Sequence, residues 1–63
     1  MFKKLQEIRK SQGRTCEQMA QELGCTKGTY NKKERGQITM TLADAKKISR
    51  ILDKSIDYIF FEN

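Results

Sequence analysis

The sequence predicts an all-α domain of five short helices, and three observations predict it. Apolar residues recur at helical spacing, most fully in Cys16, Met19, Ala20 and Leu23, an i, i+3, i+4, i+7 stripe. A threonine or serine precedes four of the apolar-periodic segments, at Thr15, Thr26, Thr41 and Ser55, where a side-chain oxygen caps a helix start. Glycine follows three segments, at Gly13, Gly24 and Gly36, where the chain needs a left-handed residue to leave a helix. Proline is absent, so these residues carry the punctuation.

The elements follow in order. The first helix, about 2–12, offers Phe2, Leu5 and Ile8. The second, 16–23, opens on Thr15 with Gln18 three residues later, a capping-box signature. The third, 27–35, opens after Thr26 and has only Tyr30 as a large apolar residue, so most of its surface is free for another purpose. Ile38 and Thr39 are β-branched but fall in the turn after it, and no strand is expected. The fourth, 42–52, opens on Thr41 with Asp44 and turns Leu42, Ala45, Ile48 and Leu52 to the core. The fifth, 56–61, opens on Ser55 with Asp57 and offers Ile56, Ile59 and Phe60. No linker, repeat or low-complexity tract divides the chain, so residues 1–63 are read as one domain. A chain of this length buries roughly 60% of its unfolded surface and leaves no room for a separate sensor domain. Regulation is therefore expected to act through partners, concentration or affinity for the target.

Composition excludes several functions. The two cysteines, Cys16 and Cys25, lack zinc spacing and there is no histidine, so no metal and no cofactor are expected. They read as two free thiols of a reducing cytoplasm. No apolar run approaches the roughly 20 residues needed to cross a membrane, and no signal peptide opens the chain. With no histidine, no glycine-rich phosphate loop and no nucleophile beside a base, the chain is not read as an enzyme, and no small-molecule ligand is expected.

Charge points elsewhere. The net charge is +5 and it is segregated. Residues 1–14 carry +4 and residues 26–40 carry +3, whereas residues 15–25 carry −2 and the remainder balances. The excess cation thus lies at the start of the chain and on the third helix, the footprint of a polyanion binder. Between Thr15 and Gly36, two short helices meet at a tight turn, Leu23-Gly24-Cys25-Thr26, and the second is studded with lysines. That geometry fits the major groove of DNA.

The chain resembles the lambda-repressor-like, Cro-type helix-turn-helix domain, the XRE family of phages and bacteria. The family's opening L-x-x-I-R-x-x-x-G is matched by Leu5, Ile8, Arg9 and Gly13. Its T-Q-x-x-L-A-x-x-L-G is matched by Thr15, Met19, Ala20, Leu23 and Gly24, and its E-R-G by Glu34, Arg35 and Gly36. Its tail, L-x-x-x-x-x-I-x-x-x-L-x-x-S-x-D-x-L-F, is matched by Leu42, Ile48, Leu52, Ser55, Asp57, Ile59 and Phe60. Each motif is unspecific alone; four in register over sixty residues are not. The ending Asp57-Tyr58-Ile59-Phe60-Phe61 is similar to that of regulators from Gram-positive phages and mobile elements. The chain departs from the family at three positions. Cys16 stands where a glutamine usually reaches a DNA phosphate, Lys33 where the residue is usually apolar, and Arg14 where leucine is common.

The resemblance implies a regulator, a repressor of phage or mobile-element type, that binds a pseudo-palindromic double-stranded DNA operator with the third helix in the major groove. Lys27, Gly28, Asn31 and Lys32 share one face of that helix and are the expected base contacts. Lysine donates to guanine O6 and N7 and asparagine pairs with adenine; for each lysine the alternative is a phosphate or water. Gly28 either admits the backbone close to DNA or merely weakens the helix. Expected backbone contacts are Cys16, Glu17, Thr26, Thr29, Lys33, Gln37 and Thr39. The resemblance pairs Arg9 with Glu34, holding the third helix at its angle; the alternative is two separate surface charges. Lys33 is expected to lay its stem on the core and send its charge to water or a phosphate, so that Lys33→Ile stabilises the fold by on the order of 1 kcal/mol.

The fifth helix packs Ile56, Tyr58, Ile59, Phe60 and Phe61 into six residues, too many for one short helix to bury inward. Tyr58, Phe60 and Phe61 are therefore the expected homodimer interface. The rival reading is a protein–protein module, antitoxin-like or anti-repressor-like, built on the same fold. The exposed lysines of the third helix argue against it, because protein interfaces deplete lysine at their centre.

Overall fold

The computed structural model describes residues 2–61. The chain forms α1 (Lys3–Ser11), α2 (Cys16–Leu23), α3 (Lys27–Arg35), α4 (Leu42–Leu52) and a terminal π-helical turn, α5 (Asp57–Phe61). No strand occurs among the described residues.

Side chains set the helix starts. At α2, the Gln18 backbone N–H donates to Thr15 Oγ1 at 3.1 Å, and the Thr15 N–H donates to Gln18 Oε1 at 2.9 Å. At α4 the same reciprocal pair joins Thr41 and Asp44. At α3 the Thr29 N–H donates to Thr26 Oγ1 at 3.2 Å. Each bond satisfies a donor that the helix itself leaves open. The ends are set by backbone conformation. Gly24 (φ 77°) and Gly36 (φ 80°) turn left-handed and close α2 and α3. α4 ends at Leu52 as expected, but the left-handed residue that closes it is Asp53, φ 57°, rather than a glycine.

The core is one cluster. Leu5, Met19, Tyr30, Ile48 and Leu52 are fully enclosed, with Ile8, Ala20, Leu23 and Ile59 completing it. Cys16 and Cys25 pack against its edge as free thiols. α2 and α3 pack most closely on each other, α4 backs α2, and α5 lies on α1. Two bonds tie distant segments together. The Phe2 N–H donates to the Glu34 carbonyl at 2.9 Å, and Gln12 Nε2 donates to the Leu52 carbonyl at 2.8 Å.

Two expectations need correction. Leu42 is not a core residue: it is the first residue of α4, well before Ile48 where that helix enters the core, and stays 66% exposed. The fifth element is not a regular α-helix. Its wider turn puts Ile59 inside and sets the Phe60 ring edge-on to Phe2, with centroids 5.3 Å apart. Phe61 is left 73% exposed.

Candidate nucleic-acid interface

α3 has nine residues and gives the interior only two, Tyr30 and Glu34. Everything that holds the helix acts through its inner face. Arg9 Nε donates to Glu34 Oε2 at 2.9 Å and Nη2 to Oε1 at 3.2 Å, a two-pronged contact of a planar guanidinium with a carboxylate. The third guanidinium nitrogen donates to the Arg14 carbonyl at 2.9 Å, and Tyr30 Oη donates to Glu34 Oε2 at 2.7 Å. The Arg9–Glu34 pair is therefore a buried tie between α1 and α3 rather than two surface charges. Burial opposes the Arg9 charge, but the hydrogen bonds and charge of Glu34 outweigh it and hold the guanidinium above its ordinary pKa. Burial, then the bond to Glu34 and its charge, push the Tyr30 phenol far up, so Tyr30 stays neutral.

The outer face is open. Lys27, Gly28 and Lys32 are exposed and Asn31 is half-buried, one turn further along. A Cβ at Gly28 would meet nothing, so the fold does not require glycine there and the space lies toward solvent. Thr26 and Thr29 flank this face with their hydroxyls 2.9 Å apart, bonded to each other. Glu17, Gln37 and Thr39 are exposed and Cys16 is half-buried at the first turn of α2. Ile38, between Gln37 and Thr39, is exposed as well.

Lys33 departs from expectation. Its stem does turn inward, but Nζ donates to Asp44 Oδ2 at 2.7 Å instead of reaching water or a phosphate. This reverses the sign expected for Lys33→Ile, because the shorter apolar chain would strand a shielded carboxylate. In the sequence Asp44 reads only as a cap; its second role depends on the start of α4 coming within reach of Lys33.

The terminal aromatics divide into two groups. Phe60 and Phe61 line an apolar groove of about 320 Å³ with Phe2, Met40, Thr41, Leu42, Ala45 and Ile56. Tyr58 does not line the groove. Its ring lies under the Lys4 ammonium, 4.5 Å from the centroid, with Lys54 at 5.8 Å.

Among the described residues, no group of three or more metal-ligating side chains comes together, and no helix is long and apolar enough to cross a membrane. The fold and its open cationic face define a helix-turn-helix regulator that binds DNA. A helix-turn-helix family model matches residues 5–59, and the chain belongs to that XRE-type, lambda-repressor- and Cro-like family. Its members are DNA-binding regulators and not normally enzymes. None of the curated proteins or solved structures searched matches the chain.

Proposed function

We propose that the chain is a sequence-specific transcriptional regulator, a repressor of phage or mobile-element type, acting in the cytoplasm as one domain over residues 1–63. In this reading α3 enters the major groove of a pseudo-palindromic operator, with Lys27, Asn31 and Lys32 on base edges and the Gly28 backbone close to the DNA. The observation that carries it is the two-sided character of α3: Tyr30 and Glu34 fasten its inner face, while Lys27 and Lys32 stand free on its outer face. Backbone contacts fall to the start of α2 at Cys16 and Glu17, to Thr26 and Thr29, and to Gln37 and Thr39 beyond α3. Lys33 leaves that set, because its ammonium is engaged by Asp44.

The operator half-sites are served by a homodimer. Phe60 and Phe61, beside the apolar groove, support an interface at the α5 end, and Tyr58, still 38% exposed next to the Lys4 and Lys54 ammoniums, remains part of the proposed interface. The groove also suits the rival reading, a module that grips another protein. Binding to duplex DNA as a function of salt separates the two. Each neutralised phosphate contributes a slope of about −0.9 in log K against log salt, so a dimer making 6–10 contacts gives a slope well beyond about −4. A flat titration, on random-sequence duplex and on duplexes enriched from a random pool alike, would sink the DNA reading.

A further inference from the structure

Asp44 serves two elements at once. Its Oδ2 accepts the Thr41 backbone N–H at 3.2 Å, closing the cap of α4, and Lys33 Nζ at 2.7 Å, reaching across to α3. The two side chains are only 17% and 14% exposed, so the contact is screened from water and salt. Burial works against the Asp44 charge, but the Lys33 hydrogen bond, the Thr41 backbone and hydroxyl, and the Lys33 charge overcome it and hold the carboxyl below its ordinary pKa.

Besides its buried Tyr30, α3 is thus held on its inner side by two ion pairs. Glu34 is fastened to α1 through Arg9, and its neighbour Lys33 is fastened to α4. Successive residues point about 100° apart around a helix, so anchors at 33 and 34 pull in different directions. One anchor fixes where the helix lies; a second at a different azimuth stops it rolling about its own axis. Rolling matters because a helix with its side chains has a radius of about 5–6 Å, so a 20° roll displaces an outer side chain by about 2 Å. Base-edge hydrogen bonds tolerate about 0.5 Å. Phosphate attraction is far less demanding.

We propose that Lys33 and Asp44 are a positioning pair that fixes the roll of α3 and thereby sets how sharply the domain discriminates between DNA sequences. This rests on the reading that α3 enters the major groove. Lys33 touches no DNA in this arrangement; it acts through the helix that carries Lys27 and Lys32.

The test uses duplexes enriched from a random pool by the wild-type protein, with random-sequence duplex as the reference. The readout is the ratio of the two affinities, because removing a negative or positive charge shifts both affinities together and leaves the ratio alone. Lys33→Met and Asp44→Asn are each expected to lower that ratio about tenfold, the order of one good base contact, with the salt slope unchanged. The double variant is expected to be no worse than either single one, since both break the same contact. Lys33→Met keeps the cap of α4 and decides the question alone if Asp44→Asn fails to fold by circular dichroism. The proposal is overturned if the ratio stays at the wild-type value. It is also overturned if Lys33→Met weakens both duplexes equally and flattens the salt slope by about 0.9 per bound protomer, about 1.8 for a dimer, the signature of a direct phosphate contact. If the wild type enriches nothing from the pool, the DNA reading itself falls, a result distinct from either.

Discussion

Glu34 gathers four hydrogen bonds: two from Arg9, one from the Tyr30 hydroxyl and, on its carbonyl, one from the Phe2 N–H. Its side chain is almost wholly buried beside that of Arg9, where neither charge is solvated by water. Removing one partner of such a pair strands the other, at a cost of about 3–5 kcal/mol. A domain of this length has a total stability of only about 3–9 kcal/mol, so the loss is a large share of the whole. Glu34→Gln keeps the shape of the side chain and removes its charge. It is expected to lower unfolding free energy in urea by at least about 2 kcal/mol, with part of the population unfolded at 37 °C. A loss below about 0.5 kcal/mol would mean that Arg9 finds water in the folded state, as an exposed pair does. The pairing of Arg9 with Glu34 was legible only through the family pattern, because nothing local links residues 25 positions apart. Lys33 with Asp44 was not legible even so. The lysine sits where the family has an apolar residue, and the aspartate had a sufficient local role as a cap. An unexpected cation at a core-edge position, with an acid in the first turn of the following helix, was the signal available.

The helices were legible where a local rule fixes them. Thr15, Thr26 and Thr41 cap as their chemistry requires, and Gly24 and Gly36 end α2 and α3 in the left-handed region. Where tertiary packing decides, the sequence was less informative. Leu42 matches the stripe of α4 but lies well before Ile48, where that helix enters the core, and the last element widens to a π-turn as its aromatics pack. The end of α4 at Leu52 was legible, but the residue that closes it was not. Asp53 occupies a left-handed conformation that glycine usually fills, and it places a carboxylate at the negative end of the helix dipole. Asparagine tolerates this backbone at least as well as aspartate, so Asp53→Asn removes the charge without adding strain. It is expected to raise stability by about 0.3–1 kcal/mol, or about 2–8 °C in melting temperature for a domain of this size. The gain should shrink in high salt, which screens the dipole. A lower melting temperature would show that the Asp53 carboxylate makes a favourable contact that outweighs the dipole.

At the scale of the whole molecule, the cationic outer face of α3 and the apolar groove beside α5 are separate features. The groove bears on the proposed homodimer. A stable interface takes about 800 Å² from each partner, which is about a fifth of the 4238 Å² that this chain exposes. α5 alone is too small for that, so a dimer seated at the C-terminal end must also engage the start of α4, where Met40, Leu42 and Ala45 line the groove. Phe61 and Leu42 are its two most exposed apolar side chains. A two-fold interface needs protrusion and recess on the same patch, and this patch has both. Phe61→Glu and Leu42→Glu are each expected to give folded monomers in sedimentation, with weakened binding to palindromic duplexes and little change toward half-sites. Leu42→Glu is the cleaner probe. It puts an acid in the first turn of α4, where the helix dipole favours it, so any loss of dimer cannot be blamed on a weakened helix. Dimers that survive both substitutions would place the two-fold axis away from this end. Dimers lost with Leu42→Glu but kept with Phe61→Glu would centre the interface on α4. For both α3 helices to read the same face of an operator, the proposed pair would have to set them about 34 Å apart, one turn of DNA. The half-site spacing in duplexes enriched by the wild type is therefore expected at 10–10.5 base pairs or a multiple, and any other spacing would rule out this arrangement.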